Sequence, residues 1–243
     1  MTEGLKSINY AILRQEIDQL EWCTLTLPIP CKFGLPCSPC ELPNEYYLYQ
    51  SNENYSEVGM KIYDFQEKTT CLKRTLCMPS MRGFTMEVND FYNNLPFTAE
   101  KPVNIPCFKN SKPEMKVYFE GNYIGKIVEP KSLTCCQGKF HEIKIYNKDD
   151  EVIYNIEAKL KQNMCLWISD KYIDNQISYN IYDNEDEINS IGEIKHLFFG
   201  LYNEACSKAD QYGITYPENA NSIEKGLITM ATVFIDYQWF ENS

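Results

Sequence analysis

Hydrophobic and polar positions alternate with a period of two through the middle of the chain. Several segments show this alternation or are rich in β-branched and aromatic residues, as is typical of β-strands. They are MKIYDF (60–65), FTMEV (84–88), MKVYFEGNYIGKIV (115–128), FHEIKIY (140–146), EVIYNIEAKL (151–160), ISYNIYD (177–183) and INSIGEIKHLFF (188–199). The sequences GN at 121–122 and NKDD at 147–150 are typical of hairpin turns. The middle of the chain is therefore predicted to be antiparallel β-structure.

The segment 222–240 has a different pattern, because its apolar side chains cover most of a helical circumference. Such a helix is enclosed either by protein or by lipid. Its uncharged run, 226–235, is only ~15 Å of helix, whereas a bilayer core is ~30 Å thick. We therefore expect a helix buried in protein. Its predicted core side chains are Leu227, Met230, Ala231, Phe234 and Ile235.

The start of this helix is marked by Asn221 and Glu224, which form a capping-box pattern, and by Pro217, which ends the preceding strand. Many short strands and one apolar helix imply a closed antiparallel barrel around a central helix. The predicted fold is mainly β, and the barrel with its central helix is assigned to residues 46–243.

The region before the predicted barrel has a helical spacing of apolar residues. Tyr10, Leu13, Ile17 and Leu20 share one helical face, which predicts a short helix within residues 1–23. We expect it to dock on the barrel end, because its acidic other face is unsuited to anionic headgroups. Residues 24–45 are rich in proline and cysteine and are predicted to form a loop.

Composition and charge limit the partners and the location that this protein is expected to have. The net charge is −11 and no cluster of Lys and Arg is present, which argues against nucleic acid as a partner and against simple attraction to anionic lipid. The first residues show neither a secretory signal nor a transit peptide, so an intracellular location is expected. The eleven cysteines are then expected to be thiols in a reducing compartment.

Residue patterns for covalent catalysis or zinc binding are weak. His141 and His196 lie in predicted strands far apart in sequence, and we find neither a phosphate-binding glycine loop nor a nucleophile elbow. A protein that is not an enzyme is therefore predicted. Cysteines 31, 37, 40, 71 and 77 could supply four thiolates to zinc, but only one tight pair exists, so unliganded thiols are favoured.

Three stretches resemble the phospholipid scramblases. They are KPVNIPC, CMPSMRGFTMEV and, most specifically, ADQYGITYPENANSIEKGLITMATVFIDYQWFEN near the end of the chain. The resemblance implies a tubby-like, twelve-stranded barrel threaded by the terminal helix. It also implies ATP-independent, bidirectional, calcium-stimulated movement of phospholipids between leaflets, at the plasma membrane or alternatively at mitochondria.

The chain departs from this family at two sites. The family's palmitoylated cysteine cluster should lie near KPVNIPC, where only Cys107 is found, and the other acylation candidates are Cys37, Cys40, Cys135 and Cys136. The family's calcium segment corresponds to 208–219.

Calcium prefers six to eight oxygen ligands, several of them carboxylates. In the segment 208–219 an acidic residue is expected at the first position, where this chain has Lys208. The remaining candidate ligands are Asp210, Glu218 and Asn219. We therefore expect calcium to bind weakly or not at all, and the segment to be an ordinary strand-to-helix connection.

Three functions remain compatible with the sequence. The first, predicted here, is a scramblase-like protein that moves or binds membrane phospholipids. The alternatives are a binding module without translocation and a structural subunit that meets protein partners in a membrane-associated complex. The altered calcium segment and the missing cysteine cluster favour the alternatives, whereas the family resemblance favours the first.

Overall fold

The protein forms a closed barrel of twelve antiparallel strands. The computed structural model describes residues 3–16, 43–70, 81–90, 97–104, 112–130, 140–159, 177–184, 188–197 and 210–240. The strands are β1 (Tyr10–Glu16), β2 (Glu45–Ser51), β3 (Val58–Lys68), β4 (Phe84–Asp90), β5 (Phe97–Lys101), β6 (Glu114–Phe119), β7 (Asn122–Val128), β8 (Phe140–Asn147), β9 (Val152–Lys159), β10 (Ser178–Asp183), β11 (Ser190–His196) and β12 (Gln211–Thr215). Each strand pairs with its sequence neighbours, and β1 also pairs with β12, which closes the barrel. The predicted closed antiparallel barrel is confirmed.

The barrel encloses the terminal helix. Helix α1 (Glu3–Lys6) precedes the barrel, and helix α2 (Ser222–Ile235) continues into a π-helical turn, Asp236–Phe240. Every residue of α2 from 225 to 235 is buried, and the five predicted core side chains are at most 1% exposed. The capping box is also present, because the Asn221 side chain accepts from the backbone of Glu224 while the Glu224 carboxylate accepts from the backbone of Asn221. The buried terminal helix is therefore confirmed.

The alternating pattern in the sequence determines which strand faces point inward. In β6, Met115 and Val117 are buried while Lys116 between them is exposed. Met115 pairs with Ile127 of β7, and Ile127 pairs with Ile145 of β8, so apolar residues of neighbouring strands line up against α2. The β6–β7 turn is formed by Glu120 and Gly121, both with positive φ, and lies one residue before the predicted GN at 121–122.

The prediction for the first residues is wrong over 10–16, which form strand β1 rather than a helix. A short N-terminal helix is present, but it is α1. Residue Ile12 of β1 pairs with Tyr49 of β2 on one side and with Gly213 of β12 on the other. These two ladders satisfy the backbone of a strand that closes the barrel, and this outweighs the helical spacing of its apolar residues. The barrel therefore begins at Tyr10 and not at residue 46.

The barrel has two distinguishable ends. Odd-numbered strands run toward the end where α2 finishes, and even-numbered strands run back toward the end where α2 begins. We call the end at Asn221, where α2 begins, the N-end, and the end at the π-helical turn the C-end. The connections from odd to even strands consequently belong to the C-end, and those from even to odd strands belong to the N-end.

Candidate functional site

A buried carboxylate lies at the C-end, where α2 passes into the π-helical turn. Asp236 is fully buried and accepts hydrogen bonds from the hydroxyls of Tyr46 on β2 (2.5 Å) and Tyr212 on β12 (2.6 Å). Burial raises the pKa of Asp236 to about 7, and the nearby carboxylate of Asp210 adds to the rise. The two tyrosine hydrogen bonds and His196 act in the opposite direction. The side chain thus ties the helix to two strands of the barrel wall.

An ion pair lies beside this carboxylate. Arg82 and Glu67 are both buried, with 3.3 Å between the Arg82 Nη2 and Glu67 Oε2 atoms, and the Tyr237 hydroxyl donates to the same oxygen at 2.7 Å. The Lys101 ammonium donates to the Arg82 carbonyl at 2.8 Å. Burial raises the pKa of the nearby Glu129 to about 7, while Lys101 lowers it. Together with Asp236 and its two tyrosines, these residues form a polar layer inside the C-end.

Aromatic stacking completes the C-end of the barrel. The Trp239 ring stacks on His141 with centroids 3.9 Å apart, and His141 Nδ1 lies 2.9 Å from the Tyr179 hydroxyl. The Phe240 ring stacks on His196 at 4.7 Å, and His196 Nε2 lies 3.0 Å from Asp210 Oδ1. The two histidines therefore hold the residues that follow α2 against the barrel wall.

Charge is divided between the two barrel ends. The described N-end connections contain seven exposed acidic residues but only one basic residue, Lys148. The acidic residues are Glu53, Glu57, Glu120, Asp149, Asp150, Glu151 and Glu218. The six C-end connections contain the segments 17–42, 71–80, 105–111, 131–139, 160–176 and 198–209, which lie outside the described residues. Their sequences contain nine Lys and Arg but six Asp and Glu, the reverse of the acidic excess in the whole chain.

Comparison with known proteins assigns the chain to a family. The Scramblase family model matches residues 39–242. The chain belongs to the Scramblase family. Human phospholipid scramblase 1 is 25% identical over 99% of this chain and 66% of its own length. Bovine phospholipid scramblase 2 is 26% identical over 79% of this chain and 63% of its own length.

Human phospholipid scramblase family member 5 is 21% identical over 84% of this chain and 68% of its own length. The chain thus spans slightly less than two thirds of the human scramblase 1 and bovine scramblase 2 sequences. No solved structure matches the chain.

The candidate calcium ligands of this scramblase-family chain are not brought together. Asp210 precedes β12 at the C-end, whereas Glu218 and Asn219 are exposed in the turn that follows β12 at the N-end. A five-residue strand extends about 17 Å at ~3.3 Å per residue, which is far longer than a calcium–oxygen bond. Lys208 lies outside the described residues, among which no group of three His, Cys, Asp or Glu is placed to hold a metal. The expectation that calcium binds weakly or not at all to these residues stays a prediction.

All eleven cysteines of the scramblase-family chain fall outside the described residues, including the zinc candidates and the acylation candidates Cys37, Cys40, Cys107, Cys135 and Cys136. In sequence, each cysteine lies between an odd-numbered strand and the even-numbered strand that follows it. Within the described ranges, no helix has both the length and the apolar character that crossing a membrane requires.

The polar layer was missed from sequence. In the sequence, Asp236 is visible only as the charged residue that follows the uncharged run 226–235. Its partners Tyr46 and Tyr212 are 190 and 24 residues away in sequence, so no local pattern could identify them.

Proposed function

We propose that this scramblase-family chain binds membrane phospholipids at the C-end of its barrel and moves them between leaflets without ATP or covalent chemistry. The names of its relatives support phospholipid as the substrate. The division of charge between the barrel ends carries the proposal for this chain. Anionic lipid on a cytoplasmic leaflet attracts each nearby Lys or Arg by about 1 kcal/mol, so the C-end connections would face the membrane and the acidic N-end would point away.

Acylation is proposed to strengthen this attachment. In sequence, the five candidates Cys37, Cys40, Cys107, Cys135 and Cys136 all lie between an odd-numbered strand and the next even-numbered strand, so they would be available to the C-end. One acyl chain gives only marginal membrane binding, whereas one chain together with basic residues gives stable anchoring. Acylation at the C-end would therefore strengthen membrane attachment at the same barrel end as the basic residues.

Calcium is proposed to have little effect on this chain. A tight site needs several carboxylates around one ion, and Asp210 is separated from Glu218 by the length of β12. Calcium that bridges anionic headgroups to surface carboxylates would produce a weak dependence without a protein site.

A binding module without translocation is the second candidate function. It is favoured by the enclosure of α2, because residues 225–235 of this apolar helix are all buried inside the barrel and offer no surface to a passing lipid. In this alternative, the C-end would hold the protein on a membrane where it meets a protein partner.

A lipid-scrambling assay separates the two candidates. The chain would be reconstituted in vesicles that contain phosphatidylserine and a fluorescent phospholipid, and an impermeant reductant would bleach the outer-leaflet probe. Scrambling predicts that the bleached fraction exceeds half, with little change on adding calcium. A bleached fraction equal to that of protein-free vesicles, with the protein still bound, would refute translocation and leave the binding module.

A further inference from the structure

The π-helical turn Asp236–Phe240, which we call the clasp, holds the end of α2 to the barrel wall. Asp236 accepts hydrogen bonds from β2 and β12, and Tyr237 donates one to β3. Trp239 stacks on a histidine of β8, and Phe240 stacks on a histidine of β11. π-Helical turns are rare in proteins and frequently lie at functional sites. Opening this one turn would separate the end of α2 from all of these strands.

The single carboxyl group of the clasp is buried without a counter-ion. Asp236 is fully buried, and its two oxygens accept from the hydroxyls of Tyr46 and Tyr212. No cation among the described residues forms an ion pair with it. It also lies at the C-terminal end of α2, where the helix dipole disfavours negative charge. An ionised carboxylate is therefore costly here, whereas the protonated group is neutral and keeps hydrogen-bond partners.

The titratable and charged groups around Asp236 come from several elements of the barrel. They are Tyr46 of β2, Tyr179 of β10, Tyr212 of β12, Asp210 before β12 and His196 of β11, with the ion pair of Arg82 and Glu67 beside Tyr237. Burial and then Asp210 raise the pKa of Asp236 to about 7, while the two tyrosine hydrogen bonds and His196 act to lower it. The groups that favour the protonated carboxyl thus outweigh those that favour the anion.

We propose that the clasp is a proton-dependent switch, which is closed when Asp236 carries a proton and opens locally when that proton is lost. Opening would move the carboxylate into water and separate Trp239 and Phe240 from the histidines on which they stack. The rest of α2 would stay in place, because residues 225–235 are buried inside the barrel. This switch goes beyond the movement of phospholipids and does not depend on it.

The direction of the switch follows from the proton affinities of its two states. In the closed clasp the pKa of Asp236 is about 7, whereas an aspartate in water has its ordinary value of 3.8. The ratio of open to closed clasp is therefore lowest below about pH 4 and rises by up to about tenfold for each pH unit between about pH 4 and 7. Above about pH 7 the ratio no longer changes. Acid should thus close the clasp, and neutral pH should open it.

Hydrogen exchange on the unaltered protein, resolved to single amides, tests this switch. Protection factors, which are corrected for the intrinsic effect of pH on exchange, report how often an amide is exposed. The Asp236 amide is a direct reporter, because it donates to the carbonyls of Thr232 and Val233. Protection of the amides 236–240 should fall by about tenfold or more from pH 5 to pH 7. At each pH it should be lower than the protection of amides 227–233, because the clasp opens while the helix stays buried.

Two variants assign the pH dependence to its group. Asp236→Asn removes the titrating carboxyl but keeps the size of the side chain and leaves both histidines in place. Protection of the amides 237–240 in this variant should change by less than about threefold from pH 5 to pH 7. Glu218→Gln, which removes an exposed carboxyl at the N-end, should behave like the unaltered protein. If Asp236→Asn does not fold, His196→Gln replaces it and should keep the fall in protection, because Asp236 still titrates.

Three results would overturn the proposal. The first is protection at 236–240 that does not depend on pH. The second is equal protection at 236–240 and 227–233, which would mean that only unfolding of the whole barrel exposes the clasp. The third is a pH dependence that persists unchanged in Asp236→Asn or is lost in His196→Gln, which would assign it to the histidines. The first two results need no variant.

Discussion

The replacement Asp236→Asn should remove a large part of the pH dependence of stability. Asp236 is enclosed at the C-terminal end of α2, where the helix dipole also disfavours an anion. The groups that face it are the hydroxyls of Tyr46 and Tyr212, with Asp210 and His196 nearby. The pKa of Asp236 is raised from 3.8 to about 7, chiefly by burial.

The direction of the effect follows from proton binding. Between about pH 4 and 7 the folded protein keeps a proton on Asp236 that the unfolded chain has lost. The contribution of this proton to the free energy of unfolding is fully present below pH 4 and decreases as the pH rises to 7. Above pH 7 it no longer changes. A pKa change of this size corresponds to about 4 kcal/mol.

Urea unfolding of both proteins from pH 4 to pH 8 measures this effect. The free energy of unfolding of Asp236→Asn, taken relative to the unaltered protein, should rise by up to about 4 kcal/mol across this range. Glu129, whose pKa is also raised to about 7, remains in both proteins and cancels in the difference. The exposed Glu218→Gln should show no such trend. A difference for Asp236→Asn that stayed constant with pH would refute the reasoning.

Three further predictions concern the helix and the calcium segment. Phe234→Ala should lower the free energy of unfolding by ~3–5 kcal/mol, because Phe234 is fully buried, and a loss below ~1 kcal/mol in urea unfolding would contradict its place in the core. Gly226→Ala should destabilise by ~1–2 kcal/mol, despite the better helix propensity of alanine, because its Cβ would lie 2.6 Å from the packed Phe97 ring; an increased melting temperature would contradict this. Titration calorimetry should find no calcium site tighter than about millimolar, and a micromolar site lost in Asp210→Ala would contradict the separation of the ligands by β12.

The barrel was predictable from sequence where its strands have a polar face. In β6 the alternation of Met115, Lys116 and Val117 was read correctly, and the apolar circumference of α2 predicted its burial. Strand β1 carries three consecutive buried residues, Ala11, Ile12 and Leu13, so it shows no simple alternation. Its identity depends on pairing with both β2 and β12, which is a long-range property that local spacing does not contain.

The candidate site was less predictable, because its contacts join distant parts of the chain. The partners of Asp236 come from β2 and β12, and the ion pair of Arg82 with Glu67 joins residues 15 positions apart, one on β3 and one just before β4. The net charge of −11 also does not show that the two barrel ends differ in charge. That difference becomes apparent only when the strand order assigns each connection to one end. The net charge of the whole chain therefore does not describe the charge of either barrel end.

Two charge reversals test most directly whether the C-end meets the membrane. Arg74→Glu changes a C-end connection, and Lys148→Glu makes the same change in charge at the N-end. In sedimentation with phosphatidylserine vesicles at low salt, Arg74→Glu should weaken binding about tenfold or more, at about 1 kcal/mol for each unit of charge, while Lys148→Glu should bind like the unaltered protein. Equal binding by all three proteins, or a loss confined to Lys148→Glu, would contradict the proposed orientation.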